Sequence, residues 1–283
     1  MSIARQVRRM LTAAAVLSVA FCPAAYTQAN KPKLSPGRDP GGTAVAVIGG
    51  GIDYTNPEIS SRLARDGEGE LVGWDFLDGD RRPFNRCPAA AKSPTPCPAD
   101  IARTILREAE TSALVVARAS ADRPQSVAQA LAMVAQTRAG IALLALADDN
   151  SSLAGSFITE AARRFPALLL IVPVHGRGFT SAAGNVLTVA SADAPKPAGT
   201  ANLAVPSRVH ARAAGSASPA DLAALAGARV TALAARMTAV NAGIDAARLK
   251  QAILQLAAPT TANSGSRTTI PVIERPDQPL VGR

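Results

Sequence analysis

The sequence predicts an α/β domain of three layers, with helices covering both faces of a central, mostly parallel sheet. Two observations carry this. Short apolar runs rich in Val, Ile, Leu and Ala alternate along the chain with segments of helical character, the order expected of a parallel sheet with crossover helices. Apolar residues make up 48% of the 283 positions but aromatics only 3%, so the core is built from many small side chains, which suits close packing of helix on sheet.

The first strand is residues 43–48, Thr-Ala-Val-Ala-Val-Ile, bounded by glycines and apolar throughout, as a strand buried on both faces must be. Further strands are expected at residues 113–117, 141–146, 168–172 and 186–190. Between them, helices are expected at residues 101–110, 126–136 and 155–164. In the last third, Ser218 is a good N-cap, with Pro219 in the first turn and Asp221 three residues after the cap, and this helix runs to about Val240. A second helix takes Asp245 as N-cap and covers residues 246–256, placing Leu249, Ile253 and Leu256 on one face. Beyond Ala258 the chain is polar, with one strand-like patch at residues 268–273.

Four segments are expected: an export signal (1–29), a polar leader (30–42), the α/β domain (43–260) and a polar C-terminal tail (261–283). The signal reads from basic Arg5, Arg8 and Arg9, the apolar stretch 10–21, and small residues up to a cleavage point after Ala29. That stretch is too short to span a bilayer, and no later run reaches the roughly 18 apolar residues a span needs. Phe21 is too bulky beside Cys22 for a lipid-attachment site. The expected location is the periplasm or beyond. Formal net charge is +9, but without the three signal arginines 27 basic residues face 21 acidic ones. No basic run is interleaved with aromatics that would stack on bases, so nucleic acid is not an expected partner. Cys87 and Cys97 lie ten positions apart in a Pro-rich stretch, and an oxidising compartment is expected to join them. So short a loop gains roughly 2–3 kcal/mol at most.

Residues 45–59 (Val-Ala-Val-Ile-Gly-Gly-Gly-Ile-Asp-Tyr-Thr-Asn-Pro-Glu-Ile) resemble the segment that opens the catalytic domain of the subtilisin-like serine peptidases, Asp-Ser/Thr-Gly-Ile-Asp-x-x-His-Pro-Glu/Asp-Leu. Gly73-Trp74-Asp75-Phe76 is similar to the turn that precedes the histidine in that family. Asn185-Val186-Leu187-Thr188-Val189-Ala190 resembles the strand after its oxyanion asparagine. Residues 229–236, followed by Asn241-Ala242-Gly243-Ile244-Asp245 and Leu249-Lys250, resemble the helix behind the nucleophile and the next one. The likeness covers roughly residues 43–258 and implies a trimmed subtilisin-like fold.

Such a peptidase needs an Asp to orient its His, the His to deprotonate Ser, and donors for the oxyanion. The resemblance puts Gly49 at the Asp position. It puts Cys97, in Cys97-Pro98-Ala99-Asp100-Ile101-Ala102, at the His position, and Ala224, in Leu222-Ala223-Ala224-Leu225-Ala226-Gly227, at the Ser position. The oxyanion segment falls near Val174-His175-Gly176-Arg177-Gly178, without its asparagine. Leu144-Ala145-Leu146-Ala147 resembles the edge that pairs with substrate, Ala147 replacing a glycine. Ala224 would also sit inside a helix begun at Ser218, away from the dipole of its N-terminus. The resemblance therefore implies a peptidase homologue without catalytic side chains, needing no cofactor, whose partner is an extracytoplasmic protein or peptide.

The remaining constellations weigh less. His175 and His210 are the only histidines, and a relocated hydrolase would build on one of them, with Asp53 or Ser181 as a partner. Gly49-Gly50-Gly51 lacks the spacing of a phosphate-binding turn and is followed by Pro57. Asp75, Asp78 and Asp80 read as a solvated acidic turn; no bidentate Glu follows to complete a calcium loop of EF-hand type, and no metal is expected.

Overall fold

The computed structural model describes residues 31–86, 98–146, 155–176, 181–194, 200–208, 217–257 and 270–278. The chain divides into Met1–Lys31 and Pro32–Arg283, and every element below belongs to the second unit. In chain order these are β1 (Ala44–Gly49), α1 (Pro57–Ser60), β2 (Gly73–Asp75), α2 (Pro98–Glu108), β3 (Ala113–Arg118), α3 (Pro124–Val134), β4 (Ile141–Ala145), α4 (Gly155–Arg164), β5 (Leu169–Pro173), β6 (Val186–Ser191), β7 (Leu203–Val205), α5 (Pro219–Val240) and α6 (Ala246–Gln255).

The seven strands form one sheet in the order β2-β3-β1-β4-β5-β6-β7, and every pairing is parallel. The expected architecture is thus present, fully rather than mostly parallel. Alternation along each strand feeds two cores. Val45, Val47, Leu143 and Ile171 face Ile101 and Ile105 of α2, the small side chains of α5, and Leu249 and Ile253 of α6. Ala46, Ile48, Ala142 and Leu170 face Val127 and Leu131 of α3 and Ile158 of α4. No helix among the described residues is long and apolar enough to cross a membrane.

Helix α5 is the spine of the first layer. Its N-terminus carries the expected capping box: the Asp221 N–H donates to the Ser218 hydroxyl, and the Ser218 N–H donates to the Asp221 carboxylate. A β-carbon on Gly227 would lie 2.8 Å from the Pro173 ring and 3.0 Å from Leu143, so glycine lets the helix axis press onto β4 and β5.

Several expectations shift. Helices α2 and α3 begin at Pro98 and Pro124, earlier than residues 101 and 126, because proline in the first turn needs no hydrogen-bond acceptor. Strands β2 and β7 are additions. The strand-like patch at residues 268–273 is reduced to one bridge, Val272 beside Ala204, with residues 268–269 outside the described set. Residues 270–278 of the presumed tail pack onto the domain, with Ile273 in the first core. The leader docks as well: Leu34 packs against that core, and the Tyr54 hydroxyl donates to the Pro32 carbonyl.

Candidate functional site

The sheet opens a crevice where β4 and β5 part. Their ladder ends at Leu143 opposite Ile171, while β4 runs on to Ala145 against Gly49 of β1, and β5 runs on to Pro173 against Val189 of β6. The walls are Leu144, Ala145, Leu146, Pro173, His175 and, from the first turns of α5, Ala220, Ala223 and Ala224. This is the carboxyl end of a parallel sheet, where open α/β folds place their ligands. The wall is apolar apart from His175. Beside it, burial pushes the Asp221 carboxyl above its ordinary range, opposed by the hydrogen bond from the Ser218 backbone.

Gly49 is the last residue of β1 and is buried, flanked by Arg118 on one side and Ala145 on the other. A β-carbon there would lie 2.0 Å from the Ala145 carbonyl oxygen, so no side chain fits without parting the strands. Ala224 is in the second turn of α5 and reaches the crevice wall. Ala145, the ladder partner of Gly49, lines the same crevice as Ala224. Cys87 and Cys97, and with them the expected disulfide, lie outside the described residues. The residue after Cys97, Pro98, starts α2 close to the β1 turn, its ring 3.6 Å from where a Gly50 β-carbon would stand.

His175 lines the crevice; His210 and Ala147 lie outside the described residues. Neither partner considered for a histidine base, Asp53 or Ser181, is among the residues lining the crevice. Asp53 accepts from Thr55 and from Arg86 at 3.3 Å, and the Ser181 hydroxyl accepts from the Ala183 N–H. The glycine run is a turn with a steric purpose: Gly51 has φ +94°, and a β-carbon on it would meet the Pro83 carbonyl at 2.9 Å. In the acidic turn, Asp75 is fully buried, and the Arg118 guanidinium bonds both Asp75 (2.8 Å) and Asp78 (2.7 Å). A side chain thus supplies the positive charge these carboxylates need. Sequence reasoning missed Arg118, whose partners are about forty residues away. It also missed Pro173 and Ala220, which carry no chemical signal in isolation.

No family model matches the chain, and no curated protein does. Solved structures do. A cold adapted subtilisin-like serine proteinase is 17% identical and superposes over 85% of this chain and 91% of its own, with a TM-score of 0.55. A lanthipeptide protease is 12% identical over 79% of this chain and 83% of its own (TM-score 0.56). Fervidolysin from Fervidobacterium pennivorans, a keratinolytic enzyme related to subtilisin, is 11% identical over 86% of this chain and 43% of its own (TM-score 0.56). At such identities the likeness is one of architecture, in a sheet of the same class with helices on both faces: the chain has the fold of the subtilisin-like serine proteases.

Proposed function

We propose that this protein is an exported, catalytically inactive homologue of the subtilisin-like serine peptidases that captures an extended peptide or protein segment at the crevice between β4 and β5. The observation that carries the inactive reading is Gly49. A peptidase of this fold needs a carboxylate there to fix the histidine tautomer. Here the β1–β4 ladder closes over the position so tightly that even a methyl group would strike the Ala145 carbonyl. Cys97 and Ala224 at the other two positions support the same reading, since losing the serine or the histidine alone costs subtilisin about a millionfold in rate. Capture is supported by the place of the crevice at the carboxyl end of the parallel sheet and by its apolar walls. Residues 1–29 and the cysteine pair support export.

A second reading has one observation in its favour. His175 shares the crevice wall with Ala220 and Ala223, in the helix whose N-cap is Ser218, so a relocated serine hydrolase would use these two residues. Fluorophosphonate labelling beside a casein-cleavage assay, with an active subtilisin as control, separates the readings. The inactive homologue gives no labelled band and no cleavage. A band that vanishes in both His175→Ala and Ser218→Ala variants establishes the hydrolase instead.

A further inference from the structure

Residues 270–278 lie along the β7 edge as a strap held at two places. At the first, the Ala204 N–H donates to the Pro271 carbonyl at 2.8 Å, the Ile273 N–H donates to the Ala204 carbonyl at 3.1 Å, and the Ile273 side chain is buried in the first core. At the second, Arg208 and Arg229 each donate to the Asp277 carboxylate at 2.9 Å, and Arg236 donates to the carbonyls of Pro276, Asp277 and Gln278. The fully buried Arg229 also donates to Glu108, the last residue of α2, at 2.6 Å, so one guanidinium joins a carboxylate of the strap to a carboxylate of the body. The other Glu108 oxygen, Oε2, is buried and accepts no hydrogen bond.

This arrangement links docking of the strap to a proton. With Glu108 ionised, two carboxylates meet at one guanidinium and an unbonded anionic oxygen is kept from water, which opposes the folded contact. With Glu108 protonated the repulsion is gone, and Arg229 serves Asp277 as its one anion. The charged groups around Glu108 are Arg229 and Arg236 of α5, Arg208 after β7, and Asp277; Arg107 beside it turns to Glu58 at 3.9 Å. Burial pushes the Glu108 carboxyl above its ordinary range, the bond and charge of Arg229 oppose this, and the charge of Asp277 adds to the rise against that of Arg208. Asp277 belongs to the strap, so docking raises the Glu108 carboxyl, and by linkage protonation of Glu108 favours docking to the same extent. We propose that residues 270–278 are a proton-tightened strap with Glu108 as its sensor, held most firmly in mild acid and loosened, baring the Ala204 backbone, as Glu108 ionises. The inference is independent of the crevice.

The test is amide hydrogen exchange on the full chain from about pH 4.5 to about pH 8, read as the protection of the Ile273 N–H relative to that of Val47 in the central strand β1. In wild type this ratio is expected to fall as pH rises, by up to about tenfold for each pH unit by which docking raises the Glu108 midpoint. In Glu108→Gln it is expected to stay level. A level ratio in wild type, or an equal fall in Glu108→Gln, overturns the proposal. If Glu108→Gln does not melt cooperatively, carbon-13 titration of the Glu108 carboxyl takes its place: the midpoint is expected to lie higher in wild type than in Ile273→Asp, whose strap a buried charge expels, and equal midpoints overturn the proposal.

Discussion

At Gly49 the absence of a side chain lets β1 and β4 pair to their last residue, with Ala145 against the glycine backbone. Under the proposed function this is where a peptidase of this fold would carry its carboxylate. A side chain added there finds no room. Gly49→Ala places a methyl group 2.0 Å from a backbone oxygen, a form of overpacking that costs about 3 kcal/mol. Chemical denaturation will show a lower midpoint; an unchanged one would mean that the strands part without cost. Arg118, beside Gly49 in the ladder, shows the opposite logic. Burial alone would lower its guanidinium, but the Asp75 and Asp78 carboxylates outweigh this and hold it above its ordinary value, so the positive charge persists beside the buried Asp75.

Among the elements, α5 is where local rules and tertiary demands agree most closely. Ser218, Pro219 and Asp221 announce its start, and the reciprocal bonds between Ser218 and Asp221 form as the sequence predicts. Ser218→Ala leaves the Asp221 N–H without its acceptor and is expected to cost about 1 kcal/mol, read as a shift in denaturation midpoint. A variant indistinguishable from wild type would show that packing of the alanine face alone holds the helix. The same rules misjudge other starts. Pro98 and Pro124 open α2 and α3, yet the apolar periodicity that draws the eye begins two or three residues later. Strands β2 and β7 have three residues each, too few for any period to register, and exist because neighbours β3 and β6 offer an edge. Asn185 is read from sequence as the lead-in to a strand. In the structure its amide also reaches the carbonyls of Ala162, Phe165 and Leu168, tying the end of α4 to β6.

Over the whole molecule, stability depends on buried charges gathered around Arg229. Burial pushes the Glu108 carboxyl above its ordinary 4.5, despite the opposing bond and charge of Arg229. Folding thus favours protonated Glu108, and its contribution is fully present below that ordinary value and is lost as pH rises through the raised one. Asp277 has the opposite sign. Burial would raise its carboxyl, but its own backbone N–H, Arg208 and Arg229 together hold it below its ordinary 3.8, so its stabilisation is present above that value and disappears in stronger acid. Melting temperature is therefore expected to climb from neutral pH into mild acid and then fall. Glu108→Gln should reduce the first limb, leaving the share of Asp221, whose carboxyl burial also raises, and spare the second; a profile identical to wild type would remove Glu108 from the account. The sequence by itself determined the layered α/β architecture, five of the strands and the caps of the last two helices, because periodicity and capping are properties of neighbours along the chain. Only the tertiary structure decided that β4 and β5 part to form a crevice, that Arg118 serves as counter-ion to Asp75, and that residues 270–278 fold onto β7 instead of trailing as a tail. Those features join groups tens of residues apart, and their energies come from pairings and desolvation that exist only once the sheet has formed.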